Sequence, residues 1–203
     1  MDNMLKNILR LALKFLYDQI FLMENYLNNW TINDGVTFFK KIGIKNGQIV
    51  LDFGCGKGNN TLPIARILGE KGLIYSLDKD KPSLEELTKR AKIEKLNNIK
   101  TIHSKYKIKI PLANNYLDAT ILYDVIHPYY FSDAERKELL SEVHRILKKE
   151  GFISVYPHHM ELEYVKNEIE KTNFKFENEY SATIIHDDKP IKDKVFNFCK
   201  TKR

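Results

Sequence analysis

A short segment of this sequence combines an acidic residue with three glycines at alternating positions. The apolar run 49–53 contains Asp52, and Gly54, Gly56 and Gly58 follow it just before a helical pattern begins. Glycine has no Cβ, so the backbone of such a turn can approach a polar ligand at the N-terminus of the next helix. The spacing differs from the G-x-G-x-x-G of dinucleotide-binding turns, which makes a dehydrogenase the least favoured class of enzyme.

A second acidic residue, Asp78, ends the next strand pattern 20 residues after Gly58. A carboxylate at the end of that strand can accept hydrogen bonds from two ribose hydroxyls. Asp80 is the alternative, but its place before a helical pattern suits an N-cap better. The sequence therefore predicts a ligand that carries a ribose.

Candidate groups for chemistry follow the fourth strand pattern, where Asp124 and His127 stand before the aromatic run 129–131. In open α/β sheets the ligand lies beyond the carboxyl ends of the strands, so both side chains are expected to face a substrate. His127 could serve as a general base if the substrate must lose a proton, or it could pack at the strand end. The aromatic run could wall a substrate pocket or pack within its own loop.

Histidines and cysteines give no recognisable metal motif. His158 and His159 are adjacent, and neighbouring side chains on an extended run point apart, so we expect no metal site and place one of them in a substrate pocket. Cys55 and Cys199 do not form a disulfide framework. Cys55 lies within the glycine turn, where a small residue that packs tightly is favoured over a nucleophile.

Strand and helix patterns alternate five times between residues 49 and 171, which predicts an α/β fold with a mostly parallel sheet and helices on both faces. The last two strand patterns, 174–185 and 195–199, have no helix between them and should form an antiparallel hairpin. Residues 4–29 form an amphipathic helical pattern with Lys6, Arg10 and Lys14 on its polar face. That helix could pack on the domain, cover the site as a lid or lie on a membrane surface.

Together these features resemble the class I S-adenosylmethionine-dependent methyltransferases, within the superfamily of ubiquinone and menaquinone methyltransferases. The resemblance covers residues 47–200 and implies a Rossmann-like three-layer sandwich: a seven-stranded, mostly parallel sheet with an antiparallel C-terminal strand. It implies S-adenosylmethionine as the cofactor and S-adenosylhomocysteine as the product. We expect one domain, 1–203, with an N-terminal helical cap (1–46) and a Rossmann-like core (47–203).

The resemblance also assigns roles. The glycine turn would meet the methionine end of the cofactor, with Asp52 orienting the turn and the cofactor ammonium, and Asp78 would hold the ribose. Lys79 would flank adenine, and the backbone of Tyr123 would border the methyl donor. The cofactor-binding residues so implied are Asp52, Gly54, Cys55, Gly56, Asn59, Asp78, Lys79, Lys105, Tyr106 and Tyr123. Asp124 and His127 are the catalytic candidates.

The adenine side departs from the family pattern. Many relatives carry Gly-Asp-Ala after the third strand, whereas this chain has Ser104 followed by a basic run, with the family pattern resuming at 110–112. Adenine could be held by backbone near Lys105 and by stacking on Tyr106, or the cofactor could bind less tightly. A solvated basic loop is the other interpretation.

The chain has 203 residues, 30% of them charged, and a net charge of +6 that is spread along its length. No obligatory nucleic-acid partner and no transmembrane segment are predicted, and a cytoplasmic monomer or homodimer is expected. Without a recognition domain, the favoured function is methyl transfer to a small-molecule acceptor. An RNA or protein methyltransferase is the first alternative, although no Asn-Pro-Pro-Tyr-type motif follows strand four. A non-catalytic S-adenosylmethionine-binding module is the second.

Overall fold

The computed structural model describes residues 2–104 and 108–201, apart from the side chains of residues 2–4. Its strands are β1 (Ile49–Phe53), β2 (Leu73–Asp78), β3 (Ile99–His103), β4 (Leu117–Tyr123), β5 (Leu147–Tyr156), β6 (Phe174–His186) and β7 (Lys189–Lys200). Its helices are α1 (Asp2–Asn29), α2 (Gly35–Lys41), α3 (Thr61–Leu68), α4 (Lys81–Ile93), α5 (Asp133–Ile146) and α6 (Leu162–Glu170). A π-helical turn, Trp30–Asp34, joins α1 to α2.

The strands form one sheet in the order β3-β2-β1-β4-β5-β7-β6. Neighbouring strands from β3 to β5 pair in parallel, while β7 runs antiparallel to both β5 and β6. This confirms the α/β prediction and the terminal hairpin. The strand order reverses at β1, which lies between β2 and β4, so the fold places its ligand crevice beyond the carboxyl ends of these strands.

Both faces of the sheet are covered because side chains alternate along each strand. Val50 packs with Trp30 and Phe39 on one face, whereas Leu51 packs with Leu139 of α5 on the other. All five side chains are buried, and these two apolar layers confirm the three-layer arrangement.

The helix that opens at Ser132 ends earlier than its sequence pattern predicts. Ser132 and Glu135 form the expected capping box, but α5 stops at Ile146 instead of continuing to Gly151. Leu147 is fully buried and pairs with Leu117 of β4. Sheet pairing therefore overrides local helix propensity at this boundary.

Helix α1 forms as a single helix, but most of its apolar side chains are more than half exposed, including Leu9, Phe15 and Leu16. Its C-terminal end is anchored: Tyr26 and Leu27 pack against the core, and Trp30, just after the helix, is buried and donates from its indole Nε1 to the Asn59 carbonyl at 2.9 Å. No helix in the described part of the chain is long and apolar enough to cross a membrane. The division into a cap (1–46) and a core (47–203) stays a prediction.

Candidate functional site

A cavity of about 460 Å³ opens at the carboxyl ends of β1, β2 and β4. Its lining includes most of the predicted site residues: Gly54, Cys55, Gly56, Asn59, Asp78, Lys79, Tyr123 and Asp124. Other lining groups come from the loop after β4 and from the β6–β7 hairpin. The volume lies within the range of sites for small molecules and cofactors.

The glycine turn is held in place by β2 and open toward the cavity. The N–H groups of Gly54 and Cys55 both donate to the Leu77 carbonyl, at 2.8 and 3.1 Å. Gly54 has φ +75°, and a Cβ on it would come within 2.7 Å of the Val125 side chain. A Cβ on Gly56 would meet no atom within 4 Å. The backbone of Gly56 therefore borders open space that a ligand can fill.

Asp78 connects the end of β2 to this turn. Its Oδ2 accepts the Gly56 N–H at 2.7 Å, and its Oδ1 accepts the N–H of Asp80 at 2.8 Å. Asp80 in turn caps α4 by accepting the Ser83 N–H at 3.0 Å, as the sequence predicts. Each carboxylate oxygen of Asp78 has a further lone pair, so the side chain can still accept from ribose hydroxyls at the cavity wall.

Asp52 lies beneath the turn and is not among the lining residues. It is buried, and its Oδ2 accepts a hydrogen bond from the Thr61 hydroxyl at 2.6 Å. Burial raises the pKa of Asp52 to about 7, although the bond from Thr61 opposes the shift. Asp52 is placed to orient the turn, and its charge near neutral pH depends on what binds above it.

Cys55 is buried in the same turn. Burial, with the nearby Asp52 and Asp78 carboxylates, raises the pKa of its thiol far above the ordinary value. A thiol that stays protonated is a poor nucleophile, which agrees with the packing role expected for this residue.

Asn59 and Lys79 are both engaged with neighbouring groups. The Asn59 Oδ1 accepts from the Arg90 guanidinium at 2.9 Å, and its Nδ2 donates to Asp188 at 2.9 Å. The Lys79 ammonium lies 5.1 Å from the centre of the Tyr130 ring, within cation–π range. The predicted adenine contacts of Lys105 and Tyr106 lie outside the described residues.

The segment after β4 carries backbone strain. Asp124 has φ +53°, unusual for a residue other than glycine, and its N–H donates to the Tyr156 carbonyl at 2.9 Å. Its Oδ1 is buried without a hydrogen-bond partner among the described residues, and its Oδ2 lies 3.4 Å from Nδ1 of His186. Strain and an unpartnered polar atom of this kind cluster at functional sites. The neighbouring Tyr123 hydroxyl bonds Ser154 at 2.9 Å.

His127 is buried beside the cavity, and its hydrogen bonds fix its tautomer. Its Nδ1 accepts the Tyr129 N–H at 3.0 Å, and burial lowers the pKa of the ring, so the neutral imidazole carries its proton on Nε2. Nε2 is buried and has no partner among the described residues. A ring in this state donates from Nε2, so the geometry argues against the general-base role that the sequence suggests for His127.

Sequence reasoning missed two features of this region. The β6–β7 turn, with Asp187 and Asp188, lines the cavity, as does His186 at the end of β6. His158 and His159 belong to a turn instead of an extended run, and their ring centres are 4.3 Å apart. The premise that their side chains point apart is therefore wrong. For the β6–β7 turn, the one signal in the sequence was the short polar segment between the last two strand patterns.

Comparison with known proteins supports this fold. The profile of the methyltransferase domain family matches residues 50–151. Demethylmenaquinone methyltransferase from Lactobacillus johnsonii is 28% identical over 141 residues, covering 68% of this chain and 54% of that protein. A probable cobalt-precorrin-6B C(15)-methyltransferase (decarboxylating) from Saccharolobus solfataricus is 30% identical over 117 residues, covering 57% of this chain and 55% of that protein. The chain spans about half the length of these curated relatives.

The solved structure of a SAM-dependent methyltransferase from Aquifex aeolicus superposes with a TM-score of 0.67 at 19% identity, covering 85% of this chain and 91% of that one. Such a likeness shows the fold. Together with the family match, it establishes that the chain belongs to the class I S-adenosylmethionine-dependent methyltransferases. The cofactor of that family is S-adenosylmethionine.

Proposed function

We propose that this protein transfers a methyl group from S-adenosylmethionine to a small-molecule acceptor bound in the cavity after β4. The observation that carries the proposal is the shared cavity wall. The open backbone of Gly56 and the Asp78 carboxylate lie at one part of it, and the strained, polar Asp124 lies at another. A cofactor and an acceptor can therefore meet in one cavity.

The residues present fit the cofactor. The turn at Gly54 and Gly56 exposes backbone groups to the amino-acid end of the cofactor. The Asp52 carboxylate beneath the turn can balance the positive charge of the cofactor ammonium. Asp78 offers lone pairs to the ribose hydroxyls. Lys79 follows it at the end of β2, but its ammonium lies over the Tyr130 ring, so an adenine contact would need this side chain to move. Asn59 holds the turn against α4 and the β6–β7 hairpin instead of offering a free amide.

S-adenosylmethionine supplies a methyl group on a sulfonium sulfur, which an acceptor atom takes by in-line displacement. The protein's part is then to hold both reactants in line and to exclude water. Asp124 is the carboxylate at the acceptor end and can take a proton from an acceptor that must lose one. His127 lies nearby as a neutral ring whose Nε2–H has no partner among the described residues, so we assign it no bond to Asp124.

The lining of the acceptor end favours a ring-bearing small molecule. Tyr130, Phe131 and Tyr156 present aromatic surface to the cavity. The curated relatives are named for demethylmenaquinone and cobalt-precorrin-6B, which supports a small-molecule acceptor over RNA or protein. The relatives' names also favour catalysis over a binding module without transferase activity.

The test is transfer of an isotopically labelled methyl group to a panel of quinols, phenols and tetrapyrroles, with bulk RNA and protein as comparison acceptors. We expect labelling in the small-molecule set. Asp124→Asn should bind the cofactor normally but turn over ~10²–10⁴-fold more slowly. Labelling of RNA alone, suppressed by raised salt, would overturn the small-molecule proposal. Cofactor binding with no labelling of any class would favour a binding module.

A further inference from the structure

Three histidines meet beside the cavity: two are adjacent in sequence, and the third, His186, is distant in sequence and lines the cavity. His158 and His159 come from the turn after β5, and His186 comes from the end of β6. One ring nitrogen from each lies within 4.8 Å of the other two. The ring centres of His158 and His186 are 4.2 Å apart.

Carboxylates lie behind two of these rings. Nδ1 of His158 is 2.5 Å from the Tyr156 hydroxyl, which itself donates to Asp193 at 3.1 Å. Because that hydroxyl already uses its proton, His158 must donate from Nδ1. Nδ1 of His186 lies 3.4 Å from the Asp124 carboxylate, and its Nε2 lies 3.6 Å from the Asp187 carboxylate. His158 therefore leaves Nε2 unprotonated, and a carboxylate lies behind each of the two rings, as is common for metal-binding histidines.

We propose that His158, His159 and His186 form a binding site for one divalent ion of the zinc class. Imidazole nitrogens suit such an ion, and three protein ligands leave one coordination position open. Tetrahedral coordination with Zn–N bonds of about 2.05 Å places the nitrogens about 3.4 Å apart. The ring nitrogens are separated by up to 4.8 Å, so they must approach one another by up to about 1.4 Å when the ion binds. His159 is exposed on a turn and has room to move.

Neighbouring polar groups define the limits of the site. His127 is not a ligand, because its Nδ1 accepts a backbone N–H and its Nε2 carries the proton. Asp124 orients His186 instead of binding the ion itself. The buried, unpartnered Nε2 of His127 and Oδ1 of Asp124 show that this end of the cavity has polar groups with no partner within the described chain.

The open position would take an acceptor hydroxyl or thiol. A bound ion of this kind lowers the pKa of a coordinated group, so the acceptor would lose its proton near neutral pH. This role rests on the proposed function, whereas the binding of the ion does not.

The experiment is a competition for Zn²⁺ between the full-length protein and a chromophoric chelator, with the Co²⁺ absorption spectrum as a second measurement. We expect one equivalent bound, with a spectrum of four-coordinate type. His158→Gln and His186→Gln should each weaken binding by more than the ~10–100-fold expected for Asp193→Asn. His103→Gln is the matched control, because His103 lies outside the cluster at the end of β3.

Absence of stoichiometric Zn²⁺ binding by the wild type would overturn the site. So would binding that survives in the His158→Gln, His186→Gln double variant, or an equal loss in the His103→Gln control. Thermal unfolding shows whether each variant is folded. Cofactor binding is measured separately by calorimetry in the presence of chelator, so loss of the metal proposal leaves the proposed methyl transfer testable on its own.

Discussion

Asn59 and Asp188 are 129 positions apart in sequence, yet the Asn59 amide donates to the Asp188 carboxylate at 2.9 Å. Lys57 adds an ion pair to the same carboxylate at 3.3 Å. The turn of the last hairpin is thereby tied to the glycine turn, and both segments line the cavity. The hairpin closes one side of the site that the parallel strands build.

Loss of the hydrogen bond and the ion pair between Asp188 and the glycine turn should speed the release of the cofactor. Asp187 and Asp188 have φ +48° and +59°, the positive values that a two-residue hairpin turn requires. Asp188→Gly suits that backbone and removes the carboxylate, so we expect an unchanged Tm but a several-fold faster dissociation rate in stopped-flow measurements. Asp187→Gly is the control, since no side-chain hydrogen bond of Asp187 to the glycine turn is found among the described residues. Equal dissociation rates in both variants would contradict a role for the tie.

The buried carboxyl of Asp52 predicts a pH-dependent stability. Its pKa is raised to about 7 in the folded state, against 3.8 for an unperturbed carboxyl. Between these values the folded chain keeps a proton that the unfolded chain has lost, so the contribution of Asp52 to stability falls as pH rises and levels off above pH 7. The difference in free energy of unfolding between the wild type and the Asp52→Asn variant should decline by up to ~1.4 kcal/mol per pH unit between about pH 5 and pH 7. Urea unfolding at several pH values measures it, and a constant difference would show that the pKa of Asp52 is not raised.

Arg136 holds the loop that carries Phe131 and should be costly to replace. Its guanidinium is buried, donates to Glu168 at 2.9 Å and also bonds the Phe131 carbonyl at 2.9 Å. Arg136→Met leaves Glu168 unpaired and should lower the free energy of unfolding by ~3 kcal/mol. Lys81→Met, which breaks an exposed pair with Glu85, should change it by less than ~1 kcal/mol. Similar effects of the two substitutions would contradict this account.

Helix α1 contributes little packing to the domain, so its removal should leave the core folded. The exposed apolar side chains include Leu5, Ile8, Leu11, Leu13, Tyr17, Ile20, Phe21 and Leu22. Deletion of residues 1–24 keeps Trp30 and should shift Tm by less than ~3 °C. A larger loss, seen by calorimetry, would mean that α1 packs against the domain or against a second copy in solution.

The fold, and the meeting of Gly56 and Asp78 at one cavity, were predictable because their signals are local. Asp52, the glycines and Asp78 lie next to strand ends, and the rules of parallel sheets bring those ends together. The acceptor side was not predictable in the same way. His186 and Asp188 reach the cavity only through the pairing of β6 with β7 and of β7 with β5, which no short pattern encodes.

His158 and His127 show a second limit of prediction from the sequence. A turn instead of a strand after Tyr156 brings the His158 and His159 rings together. The tautomer of His127 depends on one backbone N–H, that of Tyr129. Side-chain direction and proton placement follow from tertiary geometry, so residue type alone could not give the tautomer of His127 or the direction of the His158 and His159 rings.

The central claim is that this cavity binds S-adenosylmethionine through Asp78. Calorimetric titration of the full chain with S-adenosylmethionine and S-adenosylhomocysteine tests it most directly, with Asp78→Asn beside Asp80→Asn as the matched neighbour. We expect one site in the wild type, at least ~10-fold weaker binding in Asp78→Asn and little change in Asp80→Asn. No binding of either ligand at millimolar concentration, or equal affinity in wild type and Asp78→Asn, would contradict the claim.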